Sequence, residues 1–131
     1  MSRWCLDTSA YSRFKAGEPR VVRLLDEADW VGVPSVVVGE LWLGFHLGRR
    51  FERNVSELRE FLAHPLVHEI PVDRHVARIW AEIVADLRRA GTPLPTNDIW
   101  VAAAAAHTGS TVLTFDRHFE RIARVGSLVL S

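Results

Sequence analysis

Arg3-Trp4-Cys5-Leu6-Asp7-Thr8-Ser9 is a short apolar run that closes on a carboxylate and two hydroxyls. A run of this kind suits a strand buried on both faces, the habit of parallel sheets. In such sheets ligands bind just beyond the carboxyl ends of the strands, so a strand ending at Asp7 aims an acid into that crevice. Working outward, residues 8–15 form a short helix, and residues 19–28 form an amphipathic one carrying Val21, Val22, Leu24 and Leu25. Residues 30–33 read as a second strand ended by Pro34, with Ser35 as N-cap of a helix over 36–47. Residues 49–63 continue as a charged helix, completing a helical hairpin. A third strand over 67–72 ends near Pro71, and Asp73 caps a long helix to residue 90 with Val76, Ile79, Trp80, Ile83, Val84 and Leu87 on one face. Residues 91–95 are a loop, and Thr96 caps a helix through His107 whose Ala102–Ala106 run permits close packing on a sheet. A strand over 111–115, a short helix over 117–124 and a strand over 128–130 complete the chain. Strands alternate with helices throughout, which predicts an α/β fold with a mostly parallel sheet covered on both faces.

With 131 residues, the sequence reads as one domain, able to bury about two-thirds of its unfolded surface. No apolar stretch approaches the roughly 20 residues of a membrane span and no signal pattern opens the chain, so the expectation is a soluble, cytoplasmic protein without membrane contact. Sixteen basic and sixteen acidic residues cancel, which removes any bulk attraction to polyanions and leaves only local basic patches for that role. The single Cys5 lies inside an apolar strand, where a small buried thiol is a better reading than a nucleophile.

Four acids stand out from their surroundings: Asp7 after the first strand, Glu40 within a helix, Asp98 in the first turn of another, and Asp116 after the fourth strand. Asp7 and Asp116 also suit N-cap positions, and Asp98 is favoured by the helix dipole wherever it points. Glu40 is the most telling, because it sits in Val36-Val37-Val38-Gly39-Glu40-Leu41-Trp42-Leu43, where a lone buried carboxylate is costly unless a charge meets it. The topology gathers Asp7, Asp116 and Asp98 at one sheet edge. At ~5 Å and an effective dielectric near 20, each carboxylate pair costs on the order of 3 kcal/mol, so the cluster calls for cations. Mg²⁺ takes oxygen ligands and keeps several waters, and Mn²⁺ accepts similar donors. Histidines offer no rival site by spacing, since Pro65 breaks the His64/His68 pair, and neither a glycine-rich phosphate loop nor a nucleophile elbow is present.

Taken together, Leu6-Asp7-Thr8-Ser9, Val38-Gly39-Glu40-Leu41, Leu94-Pro95-Thr96-Asn97-Asp98-Ile99-Trp100-Val101-Ala102-Ala103 and Leu113-Thr114-Phe115-Asp116-Arg117-His118-Phe119 resemble the PIN-domain family, most closely its VapC-type toxin ribonucleases. The resemblance implies a PIN-like three-layer α/β/α sandwich over residues 1–131. It also implies a Mg²⁺ (or Mn²⁺) site, endonucleolytic hydrolysis of RNA leaving 5′-phosphate and 3′-hydroxyl ends, and the toxic role in a type II toxin–antitoxin pair. By position Asp7, Glu40, Asp98 and Asp116 match the family's catalytic acids. Asp7, Asp98 and Asp116 would be the principal metal ligands, with Glu40 orienting a water or completing a second ion's shell. Thr8, Ser9 and Thr114 match its frequent site hydroxyls, and Asn97 would steady Asp98. Some relatives carry a further acid just past the fourth, where this chain has Arg117-His118-Phe119, which weakens the case for a second metal. The implied partners are RNA, a VapB-like antitoxin that also carries operator DNA binding, and a second copy in a homodimer. Trp42, Phe45, Leu47 and Phe51 make the helical hairpin apolar enough to receive a partner helix.

For the RNA backbone, Arg117, Arg121 and Arg124 are spaced to share one helix face beside Asp116, a phosphate-tracking stripe. Arg49, Arg50 and Arg53 form a second basic cluster. The excess of arginine, fifteen against the single Lys15, carries little weight, because coding bias gives the same count. Two other readings fit the same residues: an RNA-processing nuclease without an antitoxin, and an inactive binding module that keeps the fold.

Overall fold

In the computed structural model, which describes residues 2–131, five strands and six α-helices alternate in the predicted order. They are β1 (Arg3–Leu6), α1 (Thr8–Lys15), α2 (Pro19–Asp26), β2 (Trp30–Pro34), α3 (Ser35–Leu47), α4 (Phe51–Leu62), β3 (Val67–Ile70), α5 (Arg74–Arg89), α6 (Thr96–Thr108), β4 (Thr111–Thr114) and β5 (Ser127–Val129), with a 3₁₀ turn at Arg117–Arg121. The sheet order is β3-β2-β1-β4-β5 and every pairing is parallel.

Parallel neighbours need crossover helices, and crossovers are right-handed. The chain winds from β1 out to β3, then returns past β1 to β4 and β5, so the winding direction reverses at β1/β4. That reversal is where a doubly wound sheet opens a crevice at its carboxyl edge. Asp7 and Asp116 follow those two strands.

The core runs through the sheet centre. Cys5, Leu6, Val33, Val112 and Leu113 are fully enclosed, and burial pushes the Cys5 thiol far above its usual range, which removes it as a nucleophile. Helix α6 is wrapped on nearly all sides, with Ala102, Ala103 and Ala105 fully buried, because methyl side chains let it lie close against the strands. It ends at Gly109, whose φ of +64° suits glycine at a helix C-cap.

Gly32 in β2 answers a packing demand rather than a turn. A Cβ there would meet the Trp30 ring at 2.5 Å and Ile70 Cδ1 at 2.7 Å. The Trp30 indole also stacks on His68 (5.4 Å between centroids) and carries the Arg3 guanidinium at 4.3 Å.

The local expectations hold with a few corrections. Asp73 caps α5 through the backbone N–H groups of His75 and Val76, both at 3.0 Å. Ser35 is not a cap: Pro34 holds that position, and the Ser35 hydroxyl donates to the Ile70 carbonyl instead (3.2 Å), pinning α3 to β3. Thr96 likewise is the first residue of α6, with Pro95 before it and no side-chain cap. The expected helix over 117–124 is only the 3₁₀ turn, since Ile122 is already extended to bring the chain back to β5. The loop between α5 and α6 exposes Gly91, Thr92 and Pro93 to solvent.

Candidate metal centre

Asp7 is the anchor of the site. It is only 7% exposed, between β1 and α1, and its Oδ1 accepts from the Ala10 N–H (2.9 Å) as the N-cap of α1. The capping and functional readings of Asp7 therefore describe the same side chain. Its Oδ1 also accepts from the Ser9 hydroxyl (2.7 Å), and its Oδ2 accepts from the fully buried Thr114 hydroxyl at the end of β4. These bonds tie β1 to β4 across the crevice and leave a lone pair on Oδ2. Ser9 Oγ in turn accepts from the Phe115 N–H (3.0 Å), and Thr114 Oγ1 accepts from the Asp116 N–H (2.9 Å).

Asp116 stands next to this pair and caps the 3₁₀ turn through the His118 N–H (2.9 Å). That turn packs the fully buried Phe119 into the core and swings His118 toward α6, where its Nδ1 lies 3.1 Å from both Asp98 Oδ2 and Asp116 Oδ1. Ligand atoms of Asp98, Asp116 and His118 all fall within 4.8 Å of one another, a grouping able to hold a metal ion. Glu40 completes the ring from α3. It is half-buried, with Oε1 accepting from the Thr8 hydroxyl (2.7 Å) and Oε2 from the Asn97 amide (3.4 Å).

Burial pushes the Asp7 carboxyl above its ordinary range, more than its three hydrogen bonds draw it back, and the nearby Asp98 charge adds to the rise. Asp98 is raised as well, first by burial, then by the Asp116 and Glu40 charges, while the His118 hydrogen bond opposes. Among the described residues no lysine or arginine pairs with any of the four acids. The donor set is rich in oxygen, the Asp7 and Asp98 carboxyls are pushed toward protonation, and no such cation pairs with the set among the described residues. A hard divalent ion fits that deficit.

Asp7, Asp98 and Asp116, expected at the sheet edge, thus converge, and Glu40 joins them from α3. One supporting role changes: Asn97 reaches Glu40 instead of Asp98, while the Thr8 and Ser9 hydroxyls donate to Glu40 and Asp7 within the site. His118 belongs to the cluster although the histidines offered no site by spacing; its only sequence signal is its place two residues after Asp116 at the start of a turn. The arginine stripe does not form. Arg117 and Arg121 lie on the 3₁₀ turn, whereas Arg124 lies beyond it and bonds Asp86 on α5 (2.6 Å), with Glu82 at 3.5 Å. Arg13 on α1 and Arg20 on α2 lie against the Phe115 ring at 4.7 and 5.9 Å, Arg20 being bonded to Glu18 (2.8 Å) and to the Ser131 carbonyl (2.9 Å).

Among known proteins, Ribonuclease VapC5 of Mycobacterium tuberculosis is 32% identical over 117 residues, 87% of this chain and 83% of that one. Ribonuclease VapC2 of Haemophilus influenzae is 28% identical over 93% of both chains. The fold superposes on the DNA-bound VapBC complex of Salmonella typhimurium with a TM-score of 0.84 at 26% identity, covering 98% of each chain. It also superposes on VapBC-5 of M. tuberculosis with a TM-score of 0.73 at 27% identity, over 99% and 100%. The PIN domain family model matches residues 4–125, from β1 past the 3₁₀ turn, and with it every acid of the cluster: the chain belongs to the PIN domain family.

Proposed function

We propose that this chain, a single PIN domain over residues 1–131, is the toxin of a type II toxin–antitoxin pair. In this reading it is an endoribonuclease that hydrolyses RNA phosphodiester bonds with Mg²⁺ or Mn²⁺. The observation that carries the proposal is the hydrogen-bonded ring of Asp7, Glu40, Asp98 and Asp116 at the β1/β4 crevice, with no lysine or arginine paired to it among the described residues. The VapC ribonuclease relatives and the VapBC complexes of like fold support the same reading.

Asp7, Asp98 and Asp116 would hold the ion. When bound, it neutralises charge building on the phosphate and lowers the pKa of a water beside it. The protein's own groups set the geometry. Thr114 and Ser9 lock the Asp7 carboxylate, so its free lone pair keeps one direction, and the rigid β1/β4 edge fixes Asp116 relative to it. Glu40, steadied by Thr8 and Asn97, is placed to accept a hydrogen bond from the attacking water and orient it. Arg13, which has no ion pair among the described residues, would offer a guanidinium donor to the RNA backbone beside Phe115. The antitoxin is a second protein that covers this face. The α3–α4 hairpin presents Leu43 and Leu47, an i,i+4 pair 60% and 80% exposed, as apolar anchors for it. A homodimer and operator binding through the antitoxin complete the proposed assembly.

The test is cleavage of a structured RNA pool by the antitoxin-free chain with Mg²⁺ or Mn²⁺, with EDTA, and with Asp7→Asn or Asp98→Asn. Metal-dependent cuts leaving 5′-phosphates, lost in both variants, are expected. Cutting that survives EDTA, or folded protein that cuts nothing with either ion, overturns the reading.

A further inference from the structure

His118 is the one member of the cluster that is not an acid. Its position follows from the 3₁₀ turn: at about three residues per turn, neighbours point about 120° apart. Buried Phe119 fixes the inward direction, Arg117 and Glu120 take the solvent side at 86% and 54% exposure, and His118 is left facing α6. There its Nδ1 is equidistant, at 3.1 Å, from one oxygen of Asp98 and one of Asp116. An octahedral ion with bonds near 2.1 Å separates adjacent donors by about 3.0 Å. Two of the three separations therefore already match adjacent donors of one coordination shell, and all three donors fall within 4.8 Å of one another. With the ring proton on Nε2, Nδ1 presents a lone pair on the side of the two carboxylate oxygens.

We infer that His118 is a nitrogen ligand of the divalent-ion site, and that it makes this chain prefer Mn²⁺ over Mg²⁺. The inference rests on the reading of the acidic ring as a metal centre. Mg²⁺ favours hard oxygen donors, while imidazole suits first-row transition ions, so exchanging one carboxylate-like position for a ring nitrogen shifts the choice of ion without dismantling the site. The position after Asp116 is then where metal selectivity is set, with no change to the acids.

The experiment uses the antitoxin-free chain with Mn²⁺ alone and Mg²⁺ alone. Calorimetry gives both affinities, and pulsed electron paramagnetic resonance of the Mn²⁺-loaded protein detects a directly bonded ¹⁴N. The expected result is tighter binding of Mn²⁺ and a nitrogen coupling in the unaltered chain. In His118→Asp the coupling disappears and the Mn²⁺/Mg²⁺ affinity ratio falls by about tenfold, the lower end of what a tuned metal site loses with a supporting group. Absence of nitrogen coupling in the unaltered chain together with an unchanged ratio in the variant overturns the role of His118 while the metal centre stands. Binding of neither ion overturns both readings. The spectrum of the unaltered chain decides the question even if the variant folds poorly.

Discussion

The Asp7 carboxylate caps α1, joins β1 to β4 and sits 7% exposed beside Asp98. These demands conflict, because burial without a cation disfavours the charged form that the proposed chemistry uses. Replacing it by asparagine keeps a cap acceptor and removes the buried charge. Asp7→Asn should therefore lower cleavage by about 10²–10³-fold, as loss of one key electrostatic group commonly does, while raising the metal-free melting temperature by a few degrees at pH 8. In a domain this size ~1 kcal/mol corresponds to about 4 °C. The sign with pH follows from the raised carboxyl. Below the ordinary carboxylate range both folded and unfolded chains hold the proton and Asp7 adds no penalty. As pH rises the unfolded chain ionises first, so stability falls until the pH passes the raised folded value, then levels. The gap in melting temperature between Asp7→Asn and the unaltered chain should open over that interval and close again when Mn²⁺ is added. Glu40 stood out in the sequence as a charge inside an apolar run, and the gathering of Asp7, Asp98 and Asp116 was legible because each follows a strand or opens a helix at one sheet edge. His118 was not, since its contact with Asp98 spans twenty residues and depends on a 3₁₀ turn that no spacing rule announces.

At the level of elements, the order and kind of every strand and α-helix could be read from apolar periodicity, and the errors fell at their ends. Pro34 and Pro95 took the cap positions expected of Ser35 and Thr96, because a proline just before a helix already fixes an extended backbone. Arg124 was misplaced because a helical repeat was extended past Arg121, where the turn stops at the extended Ile122. Committed to Asp86 and Glu82, Arg124 should matter little to RNA: Arg124→Ala leaves kcat/KM within about twofold and barely moves the melting temperature, as expected of an exposed ion pair. Arg13, which has no ion pair among the described residues, should behave oppositely, with Arg13→Ala raising KM several-fold at unchanged melting temperature. Gly32 marks a further limit of reading by pattern. In the sequence it is a weak point in a strand, whereas in the structure the Trp30 ring occupies the space of its missing side chain. Gly32→Ala should destabilise by about 1–3 kcal/mol through overpacking, seen as a lower melting temperature with altered tryptophan fluorescence.

On the scale of the molecule, the winding reverses beside β1, and this places acids from α3, α6 and the ends of β1 and β4 in one crevice. The α3–α4 hairpin projects Leu43 and Leu47 from that body, and Trp42, which the sequence offered to a partner, packs partly inward against Phe51 instead. Leu47→Asp should weaken antitoxin binding by at least about tenfold, measured by surface plasmon resonance, and leave RNA cleavage intact, since an apolar anchor contributes roughly 1.5–3 kcal/mol when buried. The exposed loop at Gly91–Pro93 has a different consequence. It divides the acids two and two, with Asp7 and Glu40 before it and Asp98 and Asp116 after it. A gene split at that loop would yield two harmless polypeptides, each with half a centre. In the proposed toxin role, growth arrest would then appear only in cells making both, so the break would make a two-input logic gate.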